Sequence, residues 1–412
     1  MGTWSGAPSV GGVIQRATRS VYAVFILAGV VISSVLSRVP QIRDLLHLKP
    51  GPLGLLLLMT AIGSLLSLPS SGLVVHRFGA ARTVTIMSMV SMSGVSIAAI
   101  GTEVSAVMVG VGLLFFGFGA GAWDVAMNVE AAAVEQELGR AIMSRFHAAF
   151  SIGTVSGALV GAGMNAVHVR PVFHLLVVAI SVAVVVPLNT RGFMPAGVDD
   201  LDEDHQERSP LKAWTERRTL LIGLFVLCMT FAEGTGNDWL GVASIDGYGA
   251  SAAVGSLTYV LFVAAMTAGR WFGPHALDRF GRVKVLRAGA LLALVGVLVV
   301  VFGPSLATVF VGVVLWGLGT ALGFPTGMSA AADDPQYSAG RVSVVATIGY
   351  IAFLAGPSLI GLIGNHTGVL RALTVTAGTL AVGFAVAGST APLPSATMPT
   401  LSSAPAAADE TG

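Results

Sequence analysis

The chain has 412 residues, of which 54% are hydrophobic and only 10% charged, and its formal net charge is +1. Soluble domains carry about 25% charged residues, so the composition excludes a soluble protein and describes one that lives in a bilayer. Sparse, balanced charge excludes a nucleic-acid surface, and the single cysteine, Cys228, excludes an internal disulfide and reads as part of an apolar core.

At the N-terminus, Arg16 and Arg19 lead into SVYAVFILAGVVISSVLS. This run is long enough to span and has no clear small-residue cleavage site, so it is read as a retained helix rather than a signal peptide. A bilayer core of about 30 Å needs about 20 helical residues. Runs of that kind fall at 19–39, 52–74, 82–101, 104–126, 143–165, 169–188, 219–241, 252–274, 284–303, 305–330, 341–364 and 368–388. They predict an all-α membrane protein with twelve crossings. The longest connection, 189–218, contains DDLDEDHQER and is read as a solvated linker between two six-helix bundles, 1–188 and 219–388. The Pro-, Ala- and Ser-rich stretch 389–412 is read as a disordered tail. With both termini inside, sixteen of the 22 basic residues fall on the cytoplasmic side and five outside, with Arg270 within a helix. The basic-residue rule therefore predicts cytoplasmic termini.

The two bundles repeat each other. HRFGAAR from His76 matches DRFGRVK from Asp278, FFGFGAG at 115 matches LWGLGTA at 315, and SIG at 151 matches TIG at 347. Such repeats point to a duplicated six-helix unit.

Given these repeated loops, the chain resembles the major facilitator superfamily over essentially its whole length. The family's loop signature, G-x-x-x-D-R-x-G-R-R/K, is seen in GLVVHRFGAAR with Gly72, Arg77, Gly79 and Arg82 retained and His76 in the Asp position. A second copy, DRFGRVK, keeps Asp278, Arg279, Gly281, Arg282 and Lys284. SRVPQIRDLLHL, WDVAMNVEAAAVEQELGRAIMSRFHAAFSIG and EGTGNDW look like the YbjJ-like group of bacterial inner-membrane transporters, distantly related to the fucose permease. The resemblance implies the major facilitator fold, alternating access, an inner-membrane location and a small-molecule substrate such as a sugar. It also implies that the loop residues, with Arg270, support a cytoplasmic gate, with the contribution of the first copy weakened by His76.

Candidate site residues are the charges inside spans, because an ionised side chain facing lipid is costly. In FAEGTGNDWL, Glu233 lies about 20 Å into helix 7 at about 1.5 Å per residue. It must face a watery cavity, pair with a cation or stay protonated, readings that sit beside a plain packing hydrogen bond. Asn237 shares its face, and Gly234 and Gly236 are expected to weaken the helix and free backbone groups. Asp238, near the outer surface, reads as a substrate group or an interfacial anchor. Asp124, Asn128, Arg145 and His147 can form one cluster across helices 4 and 5, either a gate network near the cytoplasmic boundary or an inner substrate or proton site. Arg38 is expected at the outer surface, snorkelling to headgroups or touching substrate, and Arg270 is expected to tie the inner loop of the second bundle, with substrate contact as the alternative. Gly153, Gly157 and Gly161, and Gly319, Gly323 and Gly327, give smooth faces for close helix approach.

Neither HExxH nor G-x-S-x-G occurs, and no Gly-Lys pair exists for a phosphate-binding loop, so no enzyme, cofactor or metal site is expected. The prediction is a secondary transporter, expected as a monomer, whose partners are the bilayer, a small solute and protons. Proton-coupled uptake of a polar solute is the leading reading, with efflux of a hydrophobic metabolite or drug, or a transporter-like sensor, as alternatives.

Overall fold

The computed structural model describes residues 10–48, 50–194, 210–250 and 252–393. The acidic run at 199–208 and the tail from 394 lie outside the described residues. Within the described residues every regular element is a helix: α1 (Val10–Leu36), α2 (Val39–Leu45), α3 (Pro50–Phe78), α4 (Ala80–Gly101), α5 (Ala106–Leu138), α6 (Met143–Ala166), α7 (Pro171–Thr190), α8 (Arg217–Tyr248), α9 (Ala252–Phe280), α10 (Arg282–Phe302), α11 (Leu306–Thr320), α12 (Gly323–Ala331), α13 (Ser338–Thr367), α14 (Val369–Ala372) and α15 (Thr374–Val386), with short 3-10 turns between some of them. Among the described residues, ten helical stretches are long and apolar enough to cross a bilayer, with α1–α2, α11–α12 and the segment from α14 onward each counting as one. The remaining long helices, α9 and α13, have 29 and 30 residues.

Local chemistry explains the ends. Ser105 caps α5, its side chain accepting from the Met108 N–H at 3.3 Å, which satisfies one of the donors a helix start leaves free. The same helix ends at Gly139 in the left-handed region, φ 61°, the common glycine stop. Between these signals α5 runs for 33 residues, well past the predicted end at 126, because AAAVEQEL is a good helix-forming sequence that needs no bilayer to stay helical. Asp124 therefore sits about 21 Å from the C-terminal end of α5, at about 1.5 Å per residue. It lies at mid-bundle rather than at the boundary expected from the apolar run alone.

Packing follows small side chains. In the first set of helices, α1 packs on α6 and α5 on α3 and α4; in the second, α8 packs on α13 and α10 on α11. A methyl group at Gly153 would lie 2.1 Å from the Ile26 carbonyl oxygen, so that face of α6 admits the α1 backbone. The first set, α1–α7, meets the second, α8–α15, along two seams, α3 against α13 and α6 against α9. We call the end of the bundle holding the 190–217 connection the linker end.

Candidate functional site

Pro325 sets up the centre of the site. Proline has no N–H to give the carbonyl four residues earlier, and the helical path breaks there, between α11 and α12. The orphaned carbonyl of Ala321 accepts Nε of Arg270 at 3.3 Å. The rest of the guanidinium is equally engaged. Nη2 donates to both Glu233 oxygens at 2.8 Å, and Nη1 donates to the Ser151 hydroxyl of α6 at 3.0 Å. Side-chain exposure is 6% for Arg270 and 12% for Glu233, so this is a desolvated pair in which one guanidinium nitrogen spans both carboxylate oxygens, a charge-assisted contact.

The contacts continue across the bundle. Ser151 donates to the His147 carbonyl at 3.1 Å. His147 Nε2 meets Asn128 Oδ1 at 3.0 Å; an amide oxygen can only accept, so Nε2 carries the hydrogen. Asn128 Nδ2 donates to the Asp124 carboxylate at 3.3 Å and to its backbone carbonyl at 2.9 Å. Tyr350 of α13 lies within electrostatic reach of Asp124. One polar thread thus runs Glu233–Arg270–Ser151–His147–Asn128–Asp124, crossing between the two sets of helices at Arg270–Ser151. The rings of Phe25 and Phe324 cover His147 edge-on at 5.1 and 5.4 Å.

Several expectations need correction. Arg270 does not tie the inner loop; it pairs with Glu233, because α9 places it inside the bundle two turns before Asp278. Arg145 is not in the Asp124 cluster; its Nε reaches the Trp271 carbonyl at 3.4 Å across the α6–α9 seam. Arg38 is not at the surface but fully buried, its Nε donating to His174 Nδ1 at 3.0 Å. Gly234 and Gly236 do not unwind α8, which is continuous from Arg217 to Tyr248. Gly236 instead makes room for the Phe262 ring, 2.5 Å from where its Cβ would be. Asn237 is half-buried one turn beyond Glu233, and Asp238 is exposed, within electrostatic reach of Tyr259.

At the linker end, Asp278 accepts from the Ala141 N–H at 3.1 Å, and Glu135 accepts from the Ile142 and Met143 N–H groups, both at 2.7 Å. Glu135 also accepts from Ser329, and Gln136 donates to the Ala332 carbonyl. The start of α6 is thereby fastened to α9 and α12. A cavity of about 350 Å³ lies here, lined by residues of both sets including Ser144, Asp278, Arg282 and Thr326. Arg77 and Arg279 are exposed, each guanidinium over its neighbouring phenylalanine at 5.8 and 5.3 Å, whereas Asp278 of the same loops makes the contact to the first set of helices; Arg82 is exposed as well. Gly79 and Gly281 both take positive φ, 78° and 82°, the turn for which the motif needs glycine. Sequence reasoning missed Ser151, Glu135, Gln136 and Ser329. Pro325 was the available signal for the Arg270 acceptor, and the SIG/TIG repeat marked the turn of α6 that carries Ser151.

Two six-helix-like sets joined around a buried polar thread define the class: a membrane transporter, rather than an enzyme. The sequence profile of the Major Facilitator Superfamily matches residues 20–274 and 226–409, and the chain belongs to that superfamily. It is 33% identical over 349 residues to the uncharacterized transporter y4wD of Sinorhizobium fredii, covering 84% of this chain and 91% of that one. An uncharacterized MFS-type transporter of Yersinia pestis is 29% identical over 359 residues, 87% of this chain and 90% of its own. Among solved structures, the fucose:proton symporter FucP of E. coli superposes with a TM-score of 0.77 at 16% identity, covering 90% of this chain and 98% of that one, a likeness of fold.

Proposed function

We propose that the protein is a proton-coupled secondary transporter that takes up a small polar organic solute, such as a sugar, by alternating access across the bacterial inner membrane. It works as a monomer with both ends in the cytoplasm. The observation that carries this reading is the Glu233–Arg270–Ser151 contact. A titratable carboxylate neutralises a cation that also holds the opposite bundle, so adding a proton at Glu233 changes the strength of an inter-bundle bond. A ligand or proton shifts a conformational equilibrium only through such differential interaction. Asp124, at the other end of the thread and within electrostatic reach of Tyr350 of the opposite bundle, is the second group able to do this. The contacts at the linker end describe a bundle closed on that side, which on this orientation is the outward-facing state. The proton coupling named for FucP, a neighbour in fold, is consistent with this reading.

The test is uptake in proteoliposomes of a solute first identified by thermal shift. Glu233→Gln keeps shape and hydrogen-bonding capacity while removing titration. It should abolish accumulation driven by a proton gradient and leave exchange of bound solute partly intact. Accumulation by the variant at the wild-type rate from about pH 5.5 to about pH 8 would make Glu233 a packing residue.

A further inference from the structure

The charge balance at the centre of the site selects among solutes. Every polar nitrogen of Arg270 is engaged: Nη2 with both oxygens of Glu233, Nη1 with Ser151 and Nε with Ala321. Only Glu233 among these partners is charged, so the pair as it stands is neutral. Guanidinium stays protonated at any physiological pH. A proton added to Glu233 therefore leaves a cation facing a hydroxyl, a carbonyl and a neutral carboxyl group, in a place where Arg270 is only 6% exposed. An unpaired charge at such a site is strongly unfavourable.

Among the described residues, nothing nearby on the packed elements makes up the deficit. On α6, His147 lies within electrostatic reach of Arg270 and would add positive charge on titrating, as Arg145 on the same helix already does. On α5, Asp124 is held by Asn128, with Tyr350 of α13 within its electrostatic reach. On α8, Asp238 is exposed, five residues beyond Glu233.

We propose that the transported solute is a monoanion bearing a carboxylate, which takes the place of Glu233 on the Arg270 guanidinium when Glu233 takes up the proton. This rests on the proton-coupled reading above and narrows its solute class. The step balances: a proton bonds to a Glu233 oxygen, the Nη2 hydrogens pass from that carboxylate to the solute's, and the site is neutral before and after. A neutral sugar would leave the cation stranded, and an amine would add a second positive charge. One proton moving with one monoanion also makes transport electroneutral.

The experiment measures ligand-induced stabilisation and affinity of the full-length purified protein, using D-glucuronate, D-glucose and D-glucosamine as a matched set of charge −1, 0 and +1, with glycolate as a minimal carboxylate. Glu233→Gln imitates the protonated carboxyl, so at about pH 8 it should bind D-glucuronate or glycolate about tenfold more tightly than the wild type, a difference of about 1.4 kcal/mol. Lowering the pH of the wild type should move it toward the same preference without any substitution. The double variant Glu233→Gln/Arg270→Gln, with a neutral pair, should lose it. Equal responses of the variant and the wild type to both carboxylates, or a preference of the variant for glucose or glucosamine, overturns the proposal. The two readings fail differently. Proton-driven accumulation of a neutral solute leaves the transport reading standing and removes this one, whereas unaltered accumulation by Glu233→Gln removes Glu233 as the coupling group, on which both readings rest, and leaves transport itself standing whatever the solute's charge.

Discussion

The two seams between the bundles occupy corresponding places in the repeat yet are built from different chemistry. Along α3–α13 the contact is steric: a Cβ at Gly72 would lie 2.6 Å from the Ala339 carbonyl oxygen and 2.9 Å from Cα of Gly340, and Ser343 donates to the Leu68 carbonyl at 2.6 Å. Along α6–α9 the contact is polar and charged, through Asp278 to Ala141, Arg145 to Trp271 and Arg270 to Ser151. The loops that lead into them share one turn, with Gly79 and Gly281 at nearly equal φ. They differ at four of seven positions, among them the exposed His76 standing where the second copy has Asp278 and Ala80 standing where it has Arg282. Backbone geometry survived in both copies, while the electrostatic bond across the bundle is seen in the second. A change of charge should therefore act through α6–α9 and a change of volume through α3–α13.

The largest effect that would break this contrast is at Arg270. Arg270→Gln strands the Glu233 carboxylate in a nearly dry site, and removing one partner of a buried pair costs about 3–5 kcal/mol. The variant's thermal unfolding midpoint in detergent should fall by several degrees. Most of the loss should return in Arg270→Gln/Glu233→Gln, since no charge is then left unpaired. A double variant no more stable than the single one would mean that Glu233 was not ionised against Arg270.

Volume is the lever on the other seam. Gly72→Val drives methyl groups into the α13 backbone, and overpacking of that kind costs about 1–3 kcal/mol. Separation of α3 from α13 at the linker end relieves it. Spin labels at the linker ends of α3 and α13 should show a longer distance in the variant than in the wild type, by an amount insensitive to pH. An unchanged distance with lowered stability would place the strain within one bundle instead.

The smallest effects sharpen the comparison at the loops. Asp278→Ala removes the acceptor of the Ala141 N–H; one exposed hydrogen bond is worth about 0.5–1.5 kcal/mol, so the population open at the linker end should rise by up to about tenfold. Asp278→Asn keeps an acceptor oxygen and should shift it less. The reciprocal change His76→Asp restores the carboxylate missing from the first copy and should shift the same equilibrium slightly toward closure. Single-molecule distance measurements at the linker end order all three, and movement of His76→Asp in the same direction as Asp278→Ala would break the correspondence between the two loops.

How much of this was legible beforehand differs element by element. Each of the twelve predicted spans coincides with a helical stretch, and the repeat and loop glycines stand where the pattern placed them. These are local properties, because bilayer thickness sets the length of an apolar run and a positive φ selects glycine. The end of α5 was misread for a related reason: hydropathy reports where the bilayer stops, whereas Gly139 reports where the helix stops, and the two differ by twelve residues, from 126 to 138.

Sequence alone thus determined the membrane class, the duplicated bundle, the turn geometry of the two loops and the presence of a charge at Glu233 inside a span. Tertiary structure decided what that charge meets. Glu233 and Arg270 are 37 positions apart, and Ser151 and Arg270 are 119 apart, separations over which no local pattern specifies a partner. Arg38 shows the same division, since its place at a helix end suggested the surface and the packing of α7 buried it against His174. A charged side chain inside a membrane must be satisfied; which groups satisfy it depends on how the helices pack, and that is settled only when all of them are in place.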